Sequence, residues 1–268
     1  MPAKYLHLGD EAVHYLHTGT TSLPDRPPPL DRGALFLLLH GSGRNAGDFR
    51  RVLSGFDERH SALALDLPGH GRSSGLEAPP SVEASADLVL RVAEQLRLRP
   101  FVLVGWSSGA LAALVLAARR PPVLSGLVLV GAAAEWTDDV ADAEAVREVV
   151  RGRRPQFFVD RVLAPAAPAD AMRAAWMEQV KTDPRVLLGD LLAARGFRAD
   201  ELLPRVEVPT LVVHGTLDRI VPVARARALA GGIPGARLVA IDGAGHAPQL
   251  EQPERFCELL VSFAEGLP

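Results

Sequence analysis

The sequence predicts an α/β protein in which helices flank a mostly parallel sheet. Continuous apolar runs favour this fold class, because strands buried on both faces of a parallel sheet do not alternate with polar residues. The runs occupy residues 34–39, 62–65, 101–104, 127–130, 210–213 and 238–241. Helical segments lie between these runs, which indicates βαβ units with right-handed crossovers.

The N-terminal segment predicts a hairpin at one edge of the sheet. Residues 5–8 and 12–17 are short alternating segments, as half-buried strands are. Residues 20–31 contain four prolines, and proline cannot donate to a strand ladder. We therefore interpret that stretch as a loop.

The helices between the apolar runs have recognisable ends. The helix predicted at 81–98 begins with Ser81, a residue type that caps helices well. The helix predicted at 108–119 is almost wholly apolar, so we expect it to be buried. Pro222 and Pro253 suit the first turns of the last two helices.

Residues 132–206 interrupt this alternation, since they contain no convincing strand. Helices are predicted there at 138–151, 156–163, 169–181 and 185–195. We interpret the segment as a helical cap, inserted over the carboxyl edge of the sheet. Residues 1–131 and 207–268 would then form the core domain.

Aromatic residues in this insertion are candidates for contact with a substrate. Trp136, Phe157 and Trp176 fall within it, and Trp106 lies in the core. The insertion is expected to lie over the carboxyl edge of the sheet, where the active sites of such folds occur. We therefore predict that these side chains line part of a substrate pocket at that edge.

Composition and charge exclude several classes of protein. The chain has 268 residues, with 29 basic and 32 acidic side chains, so it lacks the basic excess of nucleic-acid-binding domains. A single cysteine, Cys257, rules out an internal disulfide framework and a cysteine-rich zinc site. The longest apolar stretch, residues 109–118, is too short to span a bilayer, and no signal peptide is recognisable. We expect a cytoplasmic protein with no nucleic-acid or membrane partner, and the choice between monomer and homodimer stays open.

The most informative motif is Gly105-Trp106-Ser107-Ser108-Gly109, which follows a predicted buried strand and precedes a predicted helix. In this context G-x-S-x-G describes a sharp turn that exposes a serine hydroxyl. The small flanking residues avoid clashes, and the following helix points its N–H groups at the site. Ser107 is therefore the candidate nucleophile.

Two further residues complete a candidate triad. Asp218 follows the strand at 210–213, and His246 follows the strand at 238–241, so both should lie at the same sheet edge as Ser107. A serine is a weak nucleophile unless a base, itself held by a third group, removes its proton. We expect His246 to be that base and Asp218 to orient its ring.

Taken in order, the motifs resemble those of the α/β-hydrolase family over about residues 12–263. His40-Gly41-Ser42-Gly43 is similar to the family's H-G-x-G turn, and residues 66–73 (DLPGHGRS) are similar to its D-x-P-G-x-G-x-S loop. The resemblance implies the family's eight-stranded sheet with a helical cap after the sixth strand. It also implies an oxyanion hole made by the backbone N–H groups of Ser42 and Ser108. A serine at the nucleophile position argues against epoxide hydrolase and haloalkane dehalogenase chemistry.

The glycine-rich turn permits one other interpretation. Residues 41–46 read G-x-G-x-x-A after a strand, and Asp66 follows the next strand, which matches a dinucleotide-binding fingerprint. The preceding hairpin and the set of Ser107, Asp218 and His246 disfavour it, because a dinucleotide-binding domain does not require them.

The residues favour a serine hydrolase without cofactor or metal, which cleaves a small-molecule carboxylic ester through an acyl-enzyme. Lactonase, thioesterase, C–C bond hydrolase, acyltransferase and perhydrolase activities stay open within the same fold. The alternatives from other classes are a ligand receptor that keeps the fold and a dinucleotide-dependent oxidoreductase.

Overall fold

A computed structural model describes residues 1–24, 26–56, 59–136, 143–156 and 160–267. The strands within these residues are β1 Ala3–Leu8, β2 Glu11–His17, β3 Leu35–Leu39, β4 Ser61–Leu65, β5 Phe101–Trp106, β6 Leu124–Val130, β7 Thr210–Gly215 and β8 Arg237–Ile241. They form one eight-stranded sheet in the order β1-β2-β4-β3-β5-β6-β7-β8. β1 and β2 are antiparallel to their neighbours, and the other pairs are parallel. The predicted fold class and the edge hairpin are confirmed.

Helices cover both faces of this sheet. They are α1 Arg50–Gly55, α2 Val82–Gln95, α3 Ser108–Ala118, α4 Ala143–Val150, α5 Ala169–Gln179, α6 Pro184–Ala194, α7 Val223–Gly232, α8 Pro248–Glu251 and α9 Pro253–Glu265. The side chain of Ser81 accepts a hydrogen bond from the amide of Ala84 and caps α2 as expected. Short 3₁₀ turns occur at Ala46–Phe49, Asp160–Val162 and Leu203–Arg205.

The core lies on both sides of the sheet, because successive side chains of a strand point to opposite faces. In β3, Leu37 and Leu39 pack in the cluster that includes α2, α3 and α7, whereas Phe36 and Leu38 pack in the cluster that includes α1 and α9. The central strands are therefore apolar throughout, which is the pattern seen in the sequence.

The segment between β6 and β7 contains α4, α5 and α6. Its two ends pair with each other: Trp136 N donates to Phe197 O at 2.9 Å, and Ala199 N donates to Ala134 O at 2.7 Å. The described part of the helix predicted at 156–163 is only a 3₁₀ turn, and residues 157–159 lie outside the described residues. The exact limits of the cap, 132–206, stay a prediction.

Within the described ranges, none of the helices combines the length and apolar character needed to cross a membrane.

Candidate active site

Ser107 stands on a strained turn between β5 and α3. Its φ of 56° and ψ of −120° lie in a region that L-residues rarely adopt, and such strain is concentrated at functional sites. A Cβ on Gly105 would come within 2.4 Å of the Gly109 carbonyl oxygen, and one on Gly109 would come equally close to the His40 carbonyl oxygen. Only glycine fits at these two positions, so the turn has the geometry that the motif predicts.

The structure brings the three predicted triad residues together. The Ser107 hydroxyl lies 3.0 Å from His246 Nε2, and His246 Nδ1 lies 2.8 Å from Asp218 Oδ2. Each side chain follows a different strand of the sheet, and the carboxyl ends of β5, β7 and β8 place them at one edge. A proton can therefore pass from the serine to the imidazole without movement of the backbone.

Asp218 is held as an ionised acceptor behind His246. Its Oδ1 accepts hydrogen bonds from the amides of Ile220 and Val221, at 2.8 and 2.9 Å. Burial alone would raise the pKa of Asp218, but the charge and hydrogen bond of His246 and the Val221 amide hold the pKa below its usual value. A carboxylate in this state can stabilise an imidazolium.

Two side chains, those of Trp106 and Glu251, fix the loop that carries His246. The indole Nε1 of Trp106 donates to the His246 carbonyl oxygen at 2.8 Å. Glu251 accepts from the amides of Gly245, at 2.9 Å, and Ala164, at 2.8 Å, and so joins the histidine loop to the insertion. Trp106 thus positions the base in addition to lying at the site.

The turn that contains Ser42 packs directly against the nucleophile. A Cβ on Gly41 would lie 2.9 Å from the Ser107 Cβ, so glycine permits the close approach. No described residue accepts a hydrogen bond from the backbone N–H of Ser42 or of Ser108. Ser108 begins α3, where the N–H groups have no partner within the helix.

A buried pair couples this turn to the insertion and was not foreseen. Asp190 on α6 accepts a hydrogen bond from the Gly43 amide at 2.7 Å and lies 2.8 Å from His70 Nε2. The other ring nitrogen of His70 lies 2.9 Å from the Pro68 carbonyl oxygen. The signal in the sequence is an acidic residue within the otherwise apolar Leu-Leu-Gly-Asp-Leu-Leu stretch of α6.

His40 and His214 form hydrogen bonds to the turns that carry Gly41 and Asp218. His40 is fully buried, with Nδ1 beside the Gly41 carbonyl oxygen and Nε2 accepting from the Leu67 amide. Burial is the main reason that the pKa of His40 is lowered to about 4, so the ring is neutral near pH 7. His214 donates to the Val221 carbonyl oxygen at 2.8 Å and braces the turn that carries Asp218.

A cavity of about 90 Å³ opens beside Ser107 and His246, several times the roughly 10–15 Å³ that one water molecule needs. Core and insertion both contribute to its largely apolar wall. The lining residues are Gly41, Ser42, Gly43, Arg44, Trp106, Ser107, Trp136, Val146, Arg161, Val162, Gln179, Leu187, Leu191, Ile220 and His246.

The aromatic candidates differ in their placement. Trp106 and Trp136 line the cavity and are almost completely buried. Trp176 does not line it and is 38% exposed, because α5 turns Ala171, Ala175 and Gln179 inward instead. Trp176 therefore lies outside the wall of this cavity, and a contact with substrate stays a prediction. Phe157 lies outside the described residues.

The residues that resemble a dinucleotide-binding fingerprint contact other parts of the protein. Asp66 is 2% exposed and accepts hydrogen bonds from the amides of Ala46, at 2.6 Å, and Arg72, at 2.9 Å. A Cβ on Gly43 would meet Leu187 of the insertion at 2.7 Å, so α6 covers the place where a pyrophosphate would bind. Among the described residues, no group of His, Cys, Asp and Glu side chains could hold a metal ion.

Comparisons with known proteins find one matching family and several related enzymes. Residues 36–259 match the alpha/beta hydrolase family. A pimeloyl-[acyl-carrier protein] methyl ester esterase from Neisseria meningitidis is 32% identical over 243 residues, covering 86% of this chain and 76% of the relative. An enzyme of the same name from Yersinia enterocolitica is 31% identical, covering 85% of this chain and 92% of the relative.

Solved structures show the same overall architecture. A thermophilic esterase from Thermogutta terrifontis superposes with a TM-score of 0.83 and 25% identity, covering 95% of this chain and 93% of the other. An enol-lactonase from Burkholderia xenovorans superposes with a TM-score of 0.77 at 22% identity, covering 97% and 99%, and so shows the fold alone.

Proposed function

This chain belongs to the alpha/beta hydrolase family, and within it we propose a serine esterase that cleaves a small-molecule carboxylic ester through an acyl-enzyme. The proposal is carried by two distances: the Ser107 hydroxyl lies 3.0 Å from His246 Nε2, and Asp218 Oδ2 lies 2.8 Å from His246 Nδ1. Nucleophile, base and orienting carboxylate within hydrogen-bond reach are what acyl transfer by a serine requires.

The first half of the reaction would form the acyl-enzyme. Ser107 Oγ attacks the ester carbonyl carbon while His246 Nε2 takes its proton, and Asp218 stabilises the resulting imidazolium. The backbone N–H groups of Ser42 and Ser108 are proposed to bind the oxyanion. His246 then returns the proton to the departing alcohol.

The second half would release the acid. His246 removes a proton from water, which attacks the acyl carbonyl. The second tetrahedral intermediate then collapses to the carboxylic acid as the bond to Ser107 breaks and His246 returns the proton to Ser107 Oγ. The insertion at 132–206 is proposed to act as the cap that shields these steps. The wall of Val146, Val162, Leu187 and Leu191 would exclude bulk water and bind an apolar acyl group.

The named activity of the curated relatives makes methyl esters suitable first substrates, beside p-nitrophenyl esters of increasing chain length. We expect turnover of short and medium chains, with an acyl adduct on Ser107 detected by intact mass. A serine-directed phosphonate should add one label to the wild type and none to Ser107→Ala. The neighbouring Ser108→Ala variant is the matched control and should still be labelled.

Persistent labelling of a folded Ser107→Ala protein would contradict the proposal. An unlabelled wild type that binds esters without cleaving them would instead favour a receptor. Lactones, thioesters and C–C bond substrates belong in the same panel, because their carbonyl chemistry would use the same three residues.

A further inference from the structure

The guanidinium of Arg44 is bound by Asp48 along one edge and has no hydrogen-bond partner among the described residues at Nη1. Its Nε and Nη2 donate to the two carboxylate oxygens of Asp48, at 2.8 and 2.6 Å. Its Nη1 is buried and has no acceptor among the described residues. Arg44 is one of the residues that line the cavity beside Ser107, and its side chain is 5% exposed. Since Asp48 occupies one edge of the planar fork, the edge that carries Nη1 is the part of the guanidinium that has no hydrogen-bond partner among the described residues.

This guanidinium is held in place close to the nucleophile. Its Cζ lies 5.7 Å from the centroid of the Trp106 ring, within the range of a cation–π contact. Trp106 immediately precedes Ser107, and the Asp48 side chain on the other side is fully buried. Asp48 and Trp106 therefore hold the guanidinium in place, so Nη1 is not the end of a mobile side chain.

A second buried donor lines the same cavity. Trp136 is 3% exposed, and its indole Nε1 has no acceptor among the described residues. Guanidinium and indole N–H groups can only donate hydrogen bonds. Buried donors are rarely left without partners, so the complementary acceptor is expected on the ligand.

We propose that Arg44 Nη1 and Trp136 Nε1 bind a second, uncharged oxygen of the substrate. The ester would then carry an ether, hydroxyl or carbonyl oxygen near the bond that is cleaved. We assign an uncharged group because both carboxylate oxygens of Asp48 already lie against the Arg44 guanidinium. Burial raises the pKa of Asp48, and the charge and hydrogen bond of Arg44 act in the opposite direction. This assignment rests on the proposed esterase function and specifies its substrate class.

The test replaces one methylene by oxygen at matched chain length. p-Nitrophenyl methoxyacetate is compared with the butyrate, and the 3-methoxypropanoate with the pentanoate, to test the acyl half. 2-Methoxyethyl butyrate is compared with butyl butyrate to test the alcohol half. For each pair, kcat/KM of the ester with the extra oxygen is divided by kcat/KM of its hydrocarbon match. This ratio is then divided by the same ratio for the rates of hydrolysis by hydroxide, which removes the inductive effect of the oxygen and gives a normalised ratio.

We expect the normalised ratio to be roughly ten for at least one pair, which is the size of effect that a hydrogen bond to a charged donor gives. Arg44→Met should reduce it to about one. Because that variant leaves Asp48 buried without its partner, Trp136→Phe provides a second test that removes one N–H donor and no charge. Arg51→Met, which removes an exposed arginine paired with Asp170 and Glu254, is the control and should keep the wild-type ratio.

The possible results distinguish failure of the proposed subsite from failure of the proposed esterase activity. Ratios near one for all pairs in an active wild type, or a high ratio that survives in both variants, would overturn the subsite alone. Preference for monomethyl succinate over methyl pentanoate that is lost in Arg44→Met would overturn the assignment of an uncharged group. Failure to cleave any ester would overturn the proposed function, and the substrate class with it.

Discussion

His70 Nε2 and Asp190 Oδ2 lie 2.8 Å apart, and together they join a loop of the core to helix α6 of the insertion. Burial disfavours a charged imidazole, but the charge and hydrogen bond of Asp190 outweigh it, so the pKa of His70 is raised above its ordinary value. The facing groups are His40, whose ring centroid is 4.7 Å away, and Asp66. Asp190 also holds the Gly43 amide, so the pair fixes the turn beside Ser107.

The sign of the pH effect follows from the raised pKa. In the unfolded chain the histidine pKa is about 6.5, so the pair stabilises the fold fully below that pH. The contribution then declines as pH rises through the raised pKa of His70. Asp190→Asn should lower the free energy of unfolding by roughly 1–3 kcal/mol near pH 5.5, and by less near pH 8.5.

Urea denaturation of both proteins at the two pH values measures this difference. Asp170→Asn, which alters an exposed partner of Arg51, is the control and should have little effect at either pH. An Asp190→Asn effect of the same size at both pH values would mean that the charge of His70 in the pair does not change between them.

Asp218→Asn tests the orienting carboxylate. An amide at this position keeps an oxygen for the Ile220 and Val221 amides, but it presents an NH₂ group to His246 Nδ1 and favours the wrong tautomer. We expect kcat for the best ester to fall by roughly 10⁴-fold with little change in the urea midpoint. Asp242→Asn, at the exposed partner of Thr216, should retain wild-type kcat. Full activity of a folded Asp218→Asn protein would exclude the triad.

The sheet and the meeting of Ser107, Asp218 and His246 at one edge could be predicted because their signals are local. Apolar runs mark the strands, and glycines around Ser107 mark a turn that no other residue fits. Parallel strands then bring Asp218 and His246 to the same edge. Chain order and topology were sufficient for this, without knowledge of any side-chain contact.

The pocket wall and the supporting pairs could not be predicted in the same way. His70 and Asp190 are 120 residues apart, and nothing in one sequence couples them. Trp176 follows the buried Ala175 by a single residue and points about 100° away from it, so the rotation of α5 about its axis decides which of the two faces inward. Arg44 and Asp48 are only four residues apart, but Arg44 precedes the 3₁₀ turn Ala46–Phe49, so their pairing does not follow from a helical pattern either.

Proline at position 42 tests the oxyanion hole. Ser42→Pro removes the backbone N–H that is proposed to bind the oxyanion, and loss of one such donor lowers kcat by roughly 10²–10³-fold. Ser42→Ala keeps the N–H, and the Ser42 Oγ has no partner among the described residues, so this matched variant should keep most activity. Circular dichroism must show that the proline variant is folded. Equal damage from both changes would show that the hydroxyl itself takes part.

The two tryptophans of the insertion allow a paired test of the cavity wall. Trp136 lines the cavity and is 3% exposed, whereas Trp176 lies outside it and is 38% exposed. Trp136→Ala should enlarge the cavity, shift the preferred acyl chain of p-nitrophenyl esters to greater length and change KM more than kcat, because the triad is untouched. Trp176→Ala, the same chemical change on the outer face of α5, should leave the chain-length profile of kcat/KM as in the wild type. A shifted profile in Trp176→Ala, with an unchanged one in Trp136→Ala, would mean that the insertion packs on the core differently when substrate is bound.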